Sequence, residues 1–193
     1  MIVGRYMHSD PVTVKAGAPL AEAKRVMEEN AFGLLLVVSD DGKLRGFITR
    51  GSLKGVTNWE VPAGKVCFDT RFGVSPTDTV EKAALILLEN RLVLLPVVEE
   101  ERLIGVITQS EILRALADGL GIGLEGTRLT VRVGSDDGDL HRILAVLHKS
   151  GVHLVSMAQC PKDKAQREVI LRVQGIADKE ALRSELEEAL LSD

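Results

Sequence analysis

The chain has 193 residues, a formal net charge of −4, 45% apolar residues and only 3% aromatic ones. That length allows two hydrophobic cores, while the acidic balance and the scarcity of aromatic side chains argue against a nucleic-acid partner, which needs clustered cations and stacking platforms. The longest uncharged apolar runs, 31–38 and 92–98, fall far short of a membrane span. The N-terminus has no apolar core of secretory length, so a cytoplasmic protein is expected. Cys67 and Cys160 stand alone at no metal spacing and are read as structural thiols.

The elements in chain order repeat themselves. Val12-Thr-Val14 reads as a short strand, and Gly17-Ala-Pro19 then opens a helix carrying Leu20, Ala23, Val26 and Met27 at helical spacing. Leu34–Val38 is a continuous apolar strand, and a second strand runs through Gly46-Phe-Ile48 to Thr49, beyond which a closing helix is expected. Sixty residues later the order recurs: Phe72-Gly-Val74, a turn at Pro76-Thr-Asp78, a helix with Val80, Ala83, Leu87 and Leu88, a strand over Leu92–Val98, and Gly105-Val-Ile107 leading to Thr108. The offset is 60 as far as Val38/Val98 and 59 from Leu44/Leu103 onward, because the second loop is one residue shorter. A duplication explains the register, each unit reading β-α-β-β-α.

Four glycines between Gly119 and Gly126 mark a linker. Beyond it the pattern is new. Arg128–Val133 alternates as a strand, Gly138 precedes a helix with Leu140, Ile143, Leu144 and Leu147, and Lys149-Ser-Gly151 has the composition of a helix end. Strands over Val152–Met157 and Val169–Val173 follow, then a helix capped by Asp178 with Leu182, Leu186 and Leu190 along one stripe.

The tandem Gly-hydrophobic-Ile-Thr turns and the Leu-Pro-Val-Val strand at Leu95–Val98 resemble the cystathionine-β-synthase (CBS) domain pair, over roughly residues 1–117. The β-α-β-β-α order after the linker resembles an ACT domain, a ferredoxin-like module, here without its last strand. Together they resemble the acetoin-utilisation accessory proteins of bacteria. The expected fold is thus α+β, with a first CBS domain at 1–58, a second at 59–117, a linker at 118–127 and an ACT-like domain at 128–193.

In that family the clefts of a CBS pair take adenosine-containing ligands, so the resemblance implies AMP, ADP, ATP or S-adenosylmethionine as a regulatory ligand and no resident cofactor. The family pattern is Thr-x-x-Asp. Thr108-Gln-Ser-Glu111 keeps the acid, whereas Thr49-Arg-Gly-Ser52 loses it. A threonine at a strand end can present its hydroxyl beside free helix N–H groups, and a carboxylate one turn on can accept from ribose hydroxyls. Both threonines could equally serve only to satisfy their helix ends. The expected nucleotide site is Thr108, Glu111, Arg71, Phe72, Val74, Pro96 and Val97, with Arg71 toward a phosphate and Phe72 toward an adenine, although each also reads as an ordinary surface or core residue. Thr49, Ser52, Val12 and Leu36 form a weaker second cleft.

In the ACT-like part Ser135, Asp137 and Gly138 form a candidate effector loop, whose acids (Asp136, Asp137, Asp139) would oppose an amino-acid carboxylate and so favour an assembling role. His141, His148 and His153 have no partner at chelating spacing, and no metal site is expected. No nucleophile-base pairing or phosphate loop is present, so no enzyme activity is expected. The reading is a ligand-sensing regulator, a homodimer or higher even oligomer with helix faces such as Met27, Leu85 and Leu88 to bury, acting on a regulated enzyme. The alternative is an adaptor with vestigial clefts. DNA binding has only Arg128 and Arg132 in its favour.

Overall fold

The computed structural model describes residues 1–134, 138–161 and 167–191, and divides into two compact units, Met1–Ala115 and Leu116–Asp193. No helix among the described residues is long and apolar enough to cross a membrane.

In the first unit the repeat is visible as two small sheets. Strands β1 (Thr13–Lys15), β2 (Leu34–Val38) and β3 (Leu44–Thr49) form one in that order, β1 parallel and β3 antiparallel to β2. Strands β4 (Leu94–Glu99) and β5 (Arg102–Thr108) form the other. The strand expected at Phe72–Val74 is reduced to one parallel bridge, Val74 with Val97. Val14 pairs with Val37 at the matching place. Pro96 stands where the first repeat has Leu36 and has no N–H to donate, which shortens the ladder.

Helices α1 (Leu20–Glu29) and α2 (Val80–Asn90) bury Leu20, Ala23, Met27 and Val80, Ala83, Leu87 respectively. Met27 is therefore core and not part of an exposed helix face, whereas Leu85 and Leu88 are exposed. Helix α3 (Gln109–Gly119) closes the second repeat. Its expected counterpart after Thr49 is absent: residues 50–55 are turns. Gly51 and Gly55 fall within six residues there, and Gly55 sits at φ +81°. Two glycines cost a helix about 1 kcal/mol each.

The two cores exchange their lead-in segments. The 3-10 turn at Val3–Arg5 packs Val3, Tyr6 and Met7 into the second repeat's core, with Val74, Val80 and Leu95. The matching turn at Ala63–Lys65 packs Trp59, Val61, Ala63 and Cys67 into the first, with Val14, Leu20 and Leu35. This crossing accounts for the glycine of the Gly-hydrophobic-Ile-Thr turn. A Cβ on Gly46 would lie 2.2 Å from the carbonyl oxygen of Phe68, and one on Gly105 2.6 Å from that of His8.

In the second unit β6 (Thr127–Val133), β7 (His153–Pro161) and β8 (Arg167–Gln174) form an antiparallel sheet in the order β6-β8-β7. Helices α4 (Gly138–Lys149) and α5 (Lys179–Leu191) bury Ile143, Leu147, Leu182 and Leu186 in one core with Leu129, Val131, Leu171 and Val173. This is the ferredoxin-like order ending after the second helix. Asp178 caps α5 through the N–H groups of Glu180 and Ala181, and Gly151 ends α4 at φ +65°. The glycine-rich stretch is tied to this sheet: Ser156 Oγ donates to the Leu120 carbonyl at 2.8 Å, Arg172 to that of Leu124 and Gln174 to that of Glu125.

Candidate functional site

A cavity of about 320 Å³ opens between the repeats of the first unit. Its walls are Val12, Phe32, Leu34, Leu36, Leu94 and Val106, and its polar residues are His8, Asp10 and Thr108. The volume lies at the lower end of the range for small-molecule sites, which are mostly apolar with a few placed polar groups.

The lead-in segment builds one side of it. His8 bridges Val106 across both backbone hydrogen bonds, 2.9 and 3.0 Å, and Asp10 and Val12 follow it into the cavity wall. The end of β5 and the start of α3 supply the polar corner. Glu111 is only 7% exposed. Its Oε2 accepts from the Thr108 N–H at 3.0 Å and from the Thr108 hydroxyl, and its Oε1 lies 2.9 Å from His8 Nε2. Thr108 Oγ1 in turn accepts from the Ser110 N–H. This is a capping box, in which the third helical residue reaches back to the cap. Burial alone would push the Glu111 carboxyl up. The Thr108 hydroxyl and amide, with His8, outweigh it and hold the group below its ordinary value. The acid is therefore ionised at neutral pH; Oε2 is filled by its two bonds from Thr108, and Oε1, which meets only His8, keeps a lone pair for a further donor.

The first repeat copies the corner without the charge. Ser52 Oγ donates to the Thr49 carbonyl at 2.8 Å and accepts from the Thr49 N–H, while Thr49 Oγ1 accepts from the Ser52 N–H. Phe68 stands where the other corner has His8 and bridges Phe47, with the two ring centroids 5.8 Å apart.

The expected site residues are thus distributed differently from the sequence grouping. Thr108 shares its cavity with Val12 and Leu36, which the sequence reading put on the Thr49 side. Val74, Pro96 and Val97 are buried in or beside the second repeat's core, and Arg71 and Phe72 are exposed on the segment leading to Val74. The repeat offset sets Arg71 and Phe72 opposite Pro11 and Val12, on the segment that follows Phe68. His8 and Asp10 carried no sequence signal. They come to Thr108 only through the exchange of lead-in segments.

In the second unit Ser135 and Asp137 lie outside the described residues, and Gly138 opens α4. Asp139 is buried, its Oδ2 accepting from the Gly134 N–H and its Oδ1 from Arg142, both at 2.8 Å. Both of its carboxylate oxygens are thus engaged, one by the backbone ahead of α4 and one by a side chain of α4. A cavity of about 580 Å³ adjoins it, bounded by Thr130 and Arg132 of β6 and by Arg183, Leu186 and Glu187 of α5.

A duplicated β-α-β-β unit with exchanged lead-in segments and a cleft between the copies defines a paired-repeat module, not a barrel or a doubly wound sheet. The profile of the CBS domain matches residues 3–56 and 70–118, more than half of the sequence, and the chain belongs to the CBS-domain family. Three solved structures share the fold. A CBS domain pair/ACT domain protein from Thermotoga maritima is 26% identical with a TM-score of 0.57, covering 62% of this chain and 99% of that one. A protein assigned to acetoin utilisation from Vibrio cholerae is 24% identical with a TM-score of 0.56, covering 63% and 94%. CBSX2, solved in complex with AMP, is 24% identical with a TM-score of 0.54, covering 61% and 96%.

Proposed function

We propose that the chain is a regulatory protein that binds an adenosine-containing ligand in the cavity between Val12, Leu36 and Thr108. The observation that carries this reading is the cavity itself: apolar walls wide enough for a purine, with polar ends at Thr108, which the ionised Glu111 holds from behind, and at an exposed Asp10. The purine fits between the apolar walls, and the ribose hydroxyls find acceptors at the carboxylates, through charge-assisted hydrogen bonds worth about 1.5–3 kcal/mol each. The AMP complex of CBSX2 supports the ligand class. AMP, ADP, ATP and S-adenosylmethionine share the adenosine body that this cavity suits, and the chain acts on a separate enzyme or partner without catalysis of its own.

Assembly accompanies sensing in this reading. Leu88 and Leu113, on α2 and α3, are 71% and 69% exposed, which supports a face that a second copy covers. The ACT-like unit serves as a further assembling or metabolite-sensing element.

Thermal denaturation with each of the four ligands tests the proposal. A ligand at about 100 times its Kd stabilises the folded state by about 2.7 kcal/mol. One or more of the four should raise the midpoint, and Asp10→Asn should reduce the rise. No change with any of them at millimolar concentration would overturn the reading.

A further inference from the structure

The turns that replace a closing helix in the first repeat leave a groove of about 480 Å³ between α1 and the segment from Arg50 to Trp59. Three cations line it, Lys24, Arg50 and Lys54, against one carboxylate, Glu28. In a chain with a net charge of −4 this is a local concentration of positive charge, and contacts within the fold take up only part of it. At the matching places the second repeat has Ala84 for Lys24, Leu88 for Glu28, Gln109 for Arg50 and Leu113 for Lys54.

The cations are placed in different ways around Trp59, the only tryptophan of the chain. The Lys24 ammonium lies 4.9 Å from the indole centroid and 3.8 Å from Glu28. Arg50 is anchored through Nε to the Phe32 carbonyl at 2.8 Å, which fixes the guanidinium and leaves its outer N–H groups for another acceptor. Lys54 has no ion-pair partner among the described residues, and neither does the indole N–H have a hydrogen-bond acceptor there. The floor is apolar, from Met27 and Leu53. Donors surround an apolar floor and a single, already paired acid is the only carboxylate, so the groove suits a ligand that brings acceptor oxygens and negative charge on a small organic body. A carboxylate offers two such oxygens and one charge. A phosphate monoester offers three oxygens and a charge of about −1.5 to −2.

We propose that this groove is a second ligand site, separate from the cleft beside Thr108, and that it takes a phosphorylated small organic molecule. Arg50 and Lys54 contact the phosphate, and the organic part lies over Met27 and Leu53 against the edge of Trp59. The site needs no adenine and does not depend on the adenosine reading of the cleft.

Trp59 supplies the readout. Its emission is followed while the full chain is titrated with phenyl phosphate, with phenol as the uncharged control, and calorimetry measures the same pair. The expected result is a saturable change with phenyl phosphate at a Kd of about 1 mM or below, near −4 kcal/mol, and none with phenol. Lys54→Glu, on an exposed turn, should weaken binding about tenfold or more while its circular dichroism matches the parent. Adenosine, which has no phosphate, should leave the titration unchanged whether or not it binds the cleft. Equal binding of phenol, equal binding by Lys54→Glu, displacement by adenosine, or no saturable change up to about 10 mM, ten times the weakest affinity expected, would each overturn the proposal.

Discussion

Glu111→Ala is the perturbation whose size follows most directly from the structure. The carboxylate accepts from the Thr108 N–H at 3.0 Å and from its hydroxyl, and it pairs with His8 at 2.9 Å. Removing it breaks the reciprocal half of the capping box, although Thr108 Oγ1 can still accept from Ser110, and leaves the half-buried Thr108 N–H without an acceptor. A weakened cap costs up to about 0.5–2 kcal/mol and an unmet buried donor about 1–3 kcal/mol, terms that overlap here. Relief of the desolvation of an acid only 7% exposed works the other way. A net loss of about 1–2 kcal/mol is expected, which for a unit of this size is a fall in Tm of roughly 4–8 °C. The loss depends on pH. The folded carboxyl sits below its ordinary value of 4.5, so the stability it contributes is full above that value and disappears as the pH falls through the lower folded one. Calorimetric scans of both proteins at neutral pH and at a series of acid pH values read the difference. The gap between parent and variant should narrow below about pH 4.5. A variant that unfolds with the parent at neutral pH, or a gap that stays constant into acid, would show that the capping box is not what the ionised Glu111 stabilises.

Gly105→Ala should be among the more harmful small substitutions in the chain, because its Cβ would lie 2.6 Å from the His8 carbonyl oxygen and 2.9 Å from Met7 Sδ. A loss of about 1–3 kcal/mol in urea unfolding is expected, together with weaker adenosine-ligand binding as His8 and Asp10 shift, and an unchanged midpoint would refute the close approach. Ser52→Ala, which removes only neutral hydrogen bonds at the other corner, should leave adenosine-ligand affinity within about twofold, less than the 1.4 kcal/mol of a tenfold change; a tenfold loss in calorimetry would move the site to the Thr49 side. Leu88→Glu combined with Leu113→Glu should shift sedimentation toward a 20.9 kDa monomer, whereas an unchanged assembly would place the interface elsewhere.

The repeat, the sheets and the Thr-x-x-Glu corner were legible because they are local: apolar periodicity and a hydroxyl with an acid one turn on need only neighbouring residues. The closing helix after Thr49 was overestimated by analogy with its copy. Gly51 and Gly55 were the contrary signal, and tertiary packing did not rescue the helix. The composition of the cleft was not legible, because it depends on which core each lead-in segment joins. Val3 and Ala63 occupy matching places in the duplication, yet nothing within either segment says that it seats on the other repeat's core. Once it does, His8, Asp10 and Val12 travel with it to Thr108, and Arg71 and Phe72 stay with the segment that follows Phe68. Asp139 illustrates the same limit at one residue, an acid read as loop charge that the fold buries between the Gly134 N–H and Arg142.

The central claim is that the ligand cleft combines the lead-in segment of the first repeat with the Thr108 corner of the second. A crystal structure of the protein grown with AMP tests it most directly. The account predicts density for the adenosine moiety between Val12, Leu36 and Val106, with the ribose toward Asp10 and Glu111. Density on the Thr49 side, against Phe68 and Phe72, would contradict it.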